Sequence, residues 1–166
     1  IDVKANTYQT KDIYSVDVFK DFYSYSGLLS TIKTNNRMVN ILASIYAKEN
    51  DLDNCVLINE KKGVVEVANA NIFILKGTVI KTPALTEGCI KGVVRGKIIE
   101  IISKNKEYTL EETNISPFEI QKADEVFITN AIIGIQSVTN YKKKNFTADF
   151  SNKISKSLKI LEVTTS

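Results

Sequence analysis

Residues 55–75 read CVLINEKKGVVEVANANIFIL, and this stretch decides the fold class of the chain. It holds three short apolar runs, and a fourth follows the turn Lys76-Gly77 (55–58, 64–67, 71–75 and 78–81). The first two runs are joined by the turn sequence NEKKG, which ends in Gly63. Runs of this length with glycine at the turns predict a meander of β-hairpins.

Helical spacing of apolar residues is found on either side of this stretch. Residues 36–49 carry apolar side chains three and four positions apart, and so does a second segment that Gly92 opens. The sequence Ser116-Pro117-Phe118-Glu119 predicts a third helix, with a Ser N-cap and a Glu that closes a capping box. A last amphipathic helix lies near the carboxyl end. The apolar stripes of the three amphipathic helices are Met38, Ile41, Leu42, Ile45 and Tyr46; Val94, Ile98, Ile101 and Ile102; and Ile154, Leu158 and Leu161.

The remaining segments add strands between the helices. Residues 13–22 indicate an extended stretch, 108–115 a half-exposed strand and 126–129 a buried strand, whereas the YKKK sequence at 141–144 predicts a solvated turn. No repeat and no low-complexity linker divides the chain. The sequence therefore predicts a single α+β domain over residues 1–166.

Composition narrows the chemistry. The 166 residues are 43% hydrophobic and 25% charged with a net charge of +3, and no apolar stretch approaches the roughly 18 residues of a membrane-spanning helix. So weak a basic excess does not favour nucleic-acid binding. The absence of histidine excludes imidazole catalysis and histidine-ligated metals. Cys55 and Cys89 are expected to be buried thiols in a reducing cytosol.

Three segments hold polar residues that folding alone does not require. Residues 32–37, IKTNNR, place Lys33 before a helix; residues 65–71, VEVANAN, place a carboxylate and two amides in a strand-rich run; and residues 90–95, IKGVVR, place Gly92 at a helix entrance. Each has an ordinary explanation: a solvated lysine, an exposed strand face or bulge, and a glycine that the turn needs. Free N–H groups at a helix start also suit a phosphate, so each segment alone leaves both interpretations open.

Taken together, the order and spacing of these motifs resemble the class IV pyridoxal-phosphate aminotransferases. This family includes branched-chain and D-amino-acid aminotransferases and 4-amino-4-deoxychorismate lyase. The likeness extends from about Lys33 to Val138 and includes three further motifs, KTP at 81–83, ADEVFITN at 123–130 and GIQ at 134–136. The fold that the resemblance implies is the D-amino-acid-aminotransferase-like large domain, α+β with a mixed β-sheet or barrel-like core flanked by helices.

The resemblance assigns roles to one amine and one carboxylate. Lys33 matches the lysine that forms a Schiff base with the cofactor pyridoxal 5′-phosphate and then moves the α-proton of the substrate as base and acid. Glu66 matches the carboxylate that faces the pyridine nitrogen, where a fixed negative charge keeps that nitrogen protonated. Lys33 is thus the predicted catalytic residue, and the predicted substrate is a small amino-acid-like molecule.

Five further positions match residues that hold the cofactor. Asn71 matches an amide that helps to hold it, and Ile90 falls where the family packs an aliphatic side chain against the ring. Val93 and Val94 match residues whose backbone N–H groups bind the phosphate, and Ala131 would line the same cup. No metal ligand, nucleic-acid partner or membrane contact is implied.

Departures from the family pattern bear on the reaction. Met38 stands where branched-chain enzymes carry a tyrosine, Ala131 replaces a phosphate-binding threonine and Ser137 replaces a proline. The first two favour 4-amino-4-deoxychorismate lyase, which releases pyruvate and p-aminobenzoate in the folate pathway. The alternatives are a D-amino-acid or branched-chain aminotransferase and, from another class, a non-catalytic binding or structural domain of this fold.

The start of the chain bears on its domain organisation. The family has a whole smaller domain before the lysine, and that domain supplies a phosphate-binding arginine that neither Arg37 nor Arg95 matches. Residues 1–166 are therefore expected to be the large C-terminal domain of a two-domain enzyme, with the small N-terminal domain missing. We also expect a cytoplasmic protein, because Ile1 opens no secretory signal, and the resemblance implies a homodimer.

Overall fold

The computed structural model describes residues 8–27 and 29–164, with side chains described up to residue 160. Within this part of the chain, the strands are β1 (Ser15–Val18), β2 (Asn54–Ile58), β3 (Val64–Val67), β4 (Asn71–Lys76), β5 (Val79–Pro83), β6 (Thr109–Thr113), β7 (Glu125–Asn130), β8 (Gly134–Val138), β9 (Asn140–Tyr141) and β10 (Lys144–Asn145). The helices are α1 (Met38–Glu49), α2 (Val93–Ser103), α3 (Pro117–Lys122) and α4 (Asp149–Thr164). The predicted α+β class is confirmed. None of the helices in the described ranges has the length and apolar character needed to cross a membrane.

The strands form two mixed five-stranded sheets, the first with the order β10-β9-β1-β2-β3 and the second with the order β6-β5-β4-β7-β8. The predicted hairpins are present, since β2 pairs with β3 and β4 pairs with β5. Between these hairpins the chain leaves the first sheet and enters the second, so the prediction of one continuous meander is wrong. The reason is a tight turn in which the N–H of Val67 donates to the carbonyl of Ala70 and redirects the chain.

The alternation of side chains along the strands builds separate core layers. In β4, Ile72 and Ile74 belong to the core between the two sheets, whereas Phe73 and Leu75 pack with α2 and α4. On the outer face of the first sheet, Leu57 packs with α1. Because both faces of these strands are covered, their apolar residues run on without alternation, as they do in the sequence.

Helix α1 packs on the first sheet through a narrow face. It begins at Met38, two residues later than the sequence suggests, and its buried residues are Ala43 and Ala47. The predicted apolar stripe is buried only in part, because the small alanine side chains make the closest contact. Three residues of that stripe keep about half of their surface or more exposed: Met38 (61%), Ile41 (52%) and Ile45 (49%).

The capping box predicted at the start of α3 is confirmed. The hydroxyl of Ser116 accepts a hydrogen bond from the N–H of Phe118 at 3.3 Å, and the Ser116 N–H donates to a carboxylate oxygen of Glu119 at 3.0 Å. In α4 the predicted apolar stripe is buried as far as the side chains are described, and Leu161 lies outside them.

Predictions about single residues have different outcomes. Cys55 and Cys89 are buried free thiols, as expected, and burial raises the pKa of both to about 11. The predicted turn at 141–144 is solvated only from Lys142 onward, because Tyr141 belongs to β9 and is fully buried. Local polarity does not predict the burial of this tyrosine, because the three residues that follow it are lysines.

Candidate active site

The seven residues that the resemblance singles out all line one cavity of about 400 Å³. The cavity lies where the loop before α1, the strands β3 and β4, the start of α2 and the end of β7 converge. The residues brought together are Lys33, Glu66, Asn71, Ile90, Val93, Val94 and Ala131. The wall also contains Arg37 and Thr129, to which the sequence motifs assign no role.

Glu66 is the buried carboxylate of this cavity. It lies in β3, and 3% of its surface is exposed. One carboxylate oxygen accepts a hydrogen bond from the N–H of Ile90 at 3.0 Å, and the other accepts one from the guanidinium of Arg37 at 3.1 Å. Burial raises the pKa of Glu66, while the Ile90 N–H and the Arg37 guanidinium oppose that rise. When ionised, this carboxylate places a negative charge in the wall of the cavity.

Lys33 lies in the loop that leads into α1, four residues before the N-cap residue Arg37. Its side chain is exposed, and it makes no hydrogen bond or ion pair with the residues that the structure describes. The same lysine also borders a shallow groove along α1. Its amine is therefore available to a ligand in the cavity.

Asn71 ties the start of β4 to the segment before α2. Its side-chain nitrogen donates to the carbonyl of Ile90 at 2.8 Å. Gly92 is the N-cap of α2, and no side chain caps this helix. The first N–H groups of α2, among them those of Val93 and Val94, are thus left without a side-chain cap, which is the arrangement that binds anions.

Thr129 carries a buried hydroxyl at the edge of the same cavity. It lies opposite Asn71 in the antiparallel pairing of β7 with β4. Thr129 is 1% exposed, and its hydroxyl has no hydrogen-bond partner among the described residues. Buried polar groups usually have partners, so this hydroxyl is a candidate to bind a ligand. The sequence motifs miss it because a threonine at the end of a buried strand also suits packing.

The turn after β7 is held by Asn130. Its side-chain oxygen accepts hydrogen bonds from the N–H groups of Ile132 and Ile133 at 2.8 and 2.9 Å, and its nitrogen donates to the carbonyl of Asn69 at 3.1 Å. Ala131 lies in this turn, and it has no polar side chain to offer. At this position the turn can bind a ligand only through its backbone.

The cavity offers two kinds of polar group to a ligand. An amine, the uncapped start of α2 and the Thr129 hydroxyl suit an anionic group, whereas Glu66 suits a protonated nitrogen. Within the described part of the chain, no cluster of three or more His, Cys, Asp or Glu side chains could hold a metal ion. The arrangement therefore suits an organic ligand that has an anionic group and a basic nitrogen.

The chain belongs to the class IV aminotransferase family. The family model for amino-transferase class IV matches residues 3–141, a range that includes all seven candidate residues. The match confirms the family that the sequence motifs indicate.

Curated relatives include both kinds of enzyme considered above. The chain is 32% identical over 127 residues to the mitochondrial branched-chain amino acid aminotransferase 1 of Humulus lupulus, covering 75% of this chain and 32% of the relative. It is 28% identical over 123 residues to the aminodeoxychorismate lyase of Vibrio harveyi, covering 74% of this chain and 45% of the relative. The chain thus spans less than half the length of these relatives.

Solved structures share the fold. A protein assigned as a 4-amino-4-deoxychorismate lyase from Legionella pneumophila superposes with a TM-score of 0.83 and 22% identity over 92% of this chain and 57% of that chain. An aminotransferase from Brucella abortus bound to the cofactor PLP superposes with a TM-score of 0.82 and 17% identity over 98% of this chain and 58% of that chain. At these identities the likeness establishes the fold, which is the one that the resemblance implies.

Proposed function

We propose that this chain is the pyridoxal-phosphate-binding large domain of a two-domain class IV enzyme that acts on an amino-acid-like substrate. The observation that carries the proposal is the convergence of Lys33, Glu66 and the start of α2 on one cavity of about 400 Å³. Family membership and a PLP-bound protein of the same fold support it. A small N-terminal domain and a homodimer belong to the proposal on the ground of the resemblance. A cytoplasmic location belongs to it because Cys55 and Cys89 are free thiols, as a reducing compartment keeps them.

The residues of the cavity fit the cofactor. Pyridoxal phosphate has an aldehyde, a ring nitrogen and a phosphate, which call for an amine, a carboxylate and several hydrogen-bond donors. The cavity contains Lys33, Glu66, the uncapped start of α2 and the unpartnered hydroxyl of Thr129. Ile90 adds an aliphatic side chain to the wall, and the hydrogen bond from Asn71 holds the segment that carries it.

These residues would divide the chemistry among them. When bound, the cofactor supplies an electron-accepting ring that stabilises negative charge on the α-carbon of the substrate. Glu66 holds a proton on the ring nitrogen, because a nearby negative charge favours the protonated form of a base. Lys33 would hold the cofactor at its aldehyde carbon, with loss of water. Once the substrate amine takes its place there, the freed Lys33 amine would remove and return the proton at the α-carbon. Val93 and Val94 bind the phosphate through their N–H groups.

Within this function we place the lyase reaction first and amino transfer second. Met38 and Ala131 lack the side-chain hydroxyl that many aminotransferases of the family carry at these positions, and this favours a lyase that converts aminodeoxychorismate to pyruvate and p-aminobenzoate. Assays of the full-length protein separate the alternatives, since a lyase releases pyruvate and a D-amino-acid or branched-chain aminotransferase moves an amino group to a 2-oxo acid. Neither activity in the full-length protein would contradict both reactions.

Covalent trapping at Lys33 tests the cofactor site directly. Full-length protein is incubated with pyridoxal phosphate, reduced with borohydride and digested, and mass spectrometry locates the pyridoxyl group. We expect this group on Lys33, its loss in Lys33→Ala and its retention in Lys91→Ala, which alters a second exposed lysine of the same cavity. A pyridoxyl group on other lysines only, or no attachment, would leave a non-catalytic domain as the interpretation.

A further inference from the structure

Arg37 is the charged residue of the cavity that pairs with Glu66. It is the N-cap residue of α1, and it follows Lys33 by four positions. Its guanidinium lies 3.1 Å from a carboxylate oxygen of Glu66, and the side chains of Arg37 and Glu66 are 23% and 4% exposed. The ion pair therefore joins the loop that carries Lys33 to the strand that carries Glu66.

Among the described groups around Glu66, Arg37 is the one that forms an ion pair with it. Within the described part of the chain, Glu66 has one ion-pair partner, Arg37, and no second carboxylate lines the cavity. The guanidinium of Arg95 is 2.6 Å from Glu112, so its charge is already compensated. The other titratable groups that face Glu66 or share its cavity are the thiol of Cys89, from the segment before α2, and the exposed amines of Lys33 and Lys91. Its neutral hydrogen-bonding neighbours include the side chain of Asn40 from α1 and the N–H of Ile90.

Burial makes the negative charge of Glu66 unfavourable unless a counter-charge is present. The Ile90 N–H is a neutral donor, so the Arg37 guanidinium supplies the opposite charge at contact distance. Removal of one partner from a buried ion pair leaves the other uncompensated, and a buried carboxyl group then takes up a proton. A protonated Glu66 would no longer favour a proton on a ligand nitrogen through its charge.

We propose that Arg37 is a positioning residue of this site: its ion pair keeps Glu66 ionised and oriented, and it fixes the Lys33 loop against β3. The inference rests on the proposed function, in which the charge of Glu66 acts on the cofactor. It goes beyond that function because Arg37 acts through Glu66 and needs no contact with cofactor or substrate.

The decisive measurement is the proton affinity of Glu66 in the full-length protein without cofactor. Infrared spectra follow the carboxyl bands across pH in wild type, Arg37→Met and Arg37→Lys, and Glu66→Gln identifies the band of Glu66. We expect Arg37→Met to bind this proton at least about tenfold more tightly than wild type. Arg37→Lys should lie closer to wild type, since lysine keeps the charge and loses the planar fork. Equal proton affinity in wild type and Arg37→Met would overturn the proposal.

A cofactor titration tests the consequence for the site. Thermal unfolding first shows whether each variant is folded, and Arg37→Lys carries the comparison if Arg37→Met is not. We expect Arg37→Met to bind pyridoxal phosphate several-fold more weakly than wild type at neutral pH. The affinity of Arg37→Lys should lie between those of Arg37→Met and wild type. The same affinity and pH dependence as wild type would overturn the positioning role. Because the infrared measurement needs no cofactor, a wild type that fails to bind pyridoxal phosphate would contradict the proposed function and leave the Arg37 measurement valid.

Discussion

The side-chain oxygen of Asn71 occupies the space in which any side chain on Gly92 would begin. A Cβ built on Gly92 would lie 2.2 Å from this oxygen, far inside van der Waals contact. Asn71 is held there by the hydrogen bond from its nitrogen to the carbonyl of Ile90. The φ angle of Gly92 is −67°, which other residues adopt readily. Close approach of β4 and α2, and not backbone conformation, therefore requires glycine at this position.

Replacement of Gly92 by alanine is expected to destabilise the protein and to weaken the binding of pyridoxal phosphate. The added Cβ would push the Asn71 side chain away from Ile90 and displace the start of α2. Overpacking of this kind costs about 1–3 kcal/mol. Urea unfolding measures the change in stability, and a cofactor titration measures the change in affinity.

Gly96→Ala is the matched control for this substitution. Gly96 lies in α2, the helix that Gly92 caps, and apart from the adjoining backbone of this helix no atom lies within 4 Å of a Cβ built on it. Alanine in a helix interior is more favourable than glycine by about 0.5–1 kcal/mol, so this variant should gain stability and bind the cofactor like wild type. Similar destabilisation of both variants would contradict the steric explanation.

Thr129→Val is expected to lower the affinity for pyridoxal phosphate several-fold while raising the stability of the cofactor-free protein by about 1 kcal/mol. Valine keeps the shape of threonine and removes a buried hydroxyl that has no partner among the described residues. Thr82→Val is the control, because the buried Thr82 hydroxyl donates to the carbonyl of Ile72 at 2.9 Å. The control should lose stability and retain the affinity. Equal effects of the two substitutions would exclude a role of Thr129 in binding the phosphate.

The stability of the protein should fall with rising pH through the titration of Glu66. Burial raises the pKa of Glu66 in the fold. Between the ordinary pKa and the raised one, the folded state holds a proton that the unfolded chain has released, so the free energy of unfolding decreases as the pH increases. Glu66→Gln removes this titration. Wild type should therefore lose stability relative to the variant from about pH 4 upward, and urea unfolding across pH measures the difference.

Asp124 should show the opposite pH dependence and serves as a comparison. The Gly77 N–H and the Lys76 amine, each 2.7 Å from its carboxylate, lower the pKa of Asp124. Its stabilising contribution is complete above the pKa of the unfolded chain and is lost as the pH falls through the folded pKa. Asp124→Asn should thus be less stable than wild type at neutral pH and equal to it in acid. Parallel curves for the Glu66 and Asp124 variants would refute at least one of the two assignments.

Two tyrosines provide a test of hydrogen bonding in the core. The hydroxyl of Tyr141 is buried without a partner among the described residues, whereas that of Tyr14 accepts a hydrogen bond from Asn54 at 3.0 Å. Tyr141→Phe should leave the free energy of unfolding unchanged or raise it by about 1 kcal/mol, and Tyr14→Phe should lower it by about the same amount. Paired urea denaturation distinguishes the two. A clear loss of stability in Tyr141→Phe would contradict the unpartnered hydroxyl.

Local sequence patterns predicted the structural elements whose hydrogen bonds join residues close together in the chain. The capping box at Ser116 is one example, because its hydrogen bonds join residues two and three positions apart. The same patterns did not show that β3 and β4 belong to different sheets, since the pairing of strands depends on residues distant in the chain. Nor did they reveal the burial of Tyr141, because the exposed lysines beside it dominate the local polarity.

In the candidate site, too, the sequence indicated some residues and only the structure revealed others. Lys33 and Glu66 each had an ordinary explanation as a solvated lysine or a strand-face carboxylate, and only the order of several motifs pointed to a ligand. Arg37 has no signal of its own, because an arginine before a helix is usually solvated, and its partner Glu66 is 29 positions away. The hydroxyl of Thr129 stood out only when its burial and lack of a partner were known.

By itself, the sequence determined the α+β class, which follows from periodicity, and through the resemblance of its ordered motifs it indicated the aminotransferase family and seven candidate residues. Only the tertiary structure decided that those residues share one cavity, that Arg37 pairs with Glu66, and that Asn71 leaves no room for a side chain on Gly92. These contacts join segments that are far apart in the chain, and the distances between such segments are set by the packing of sheets and helices and not by any local pattern.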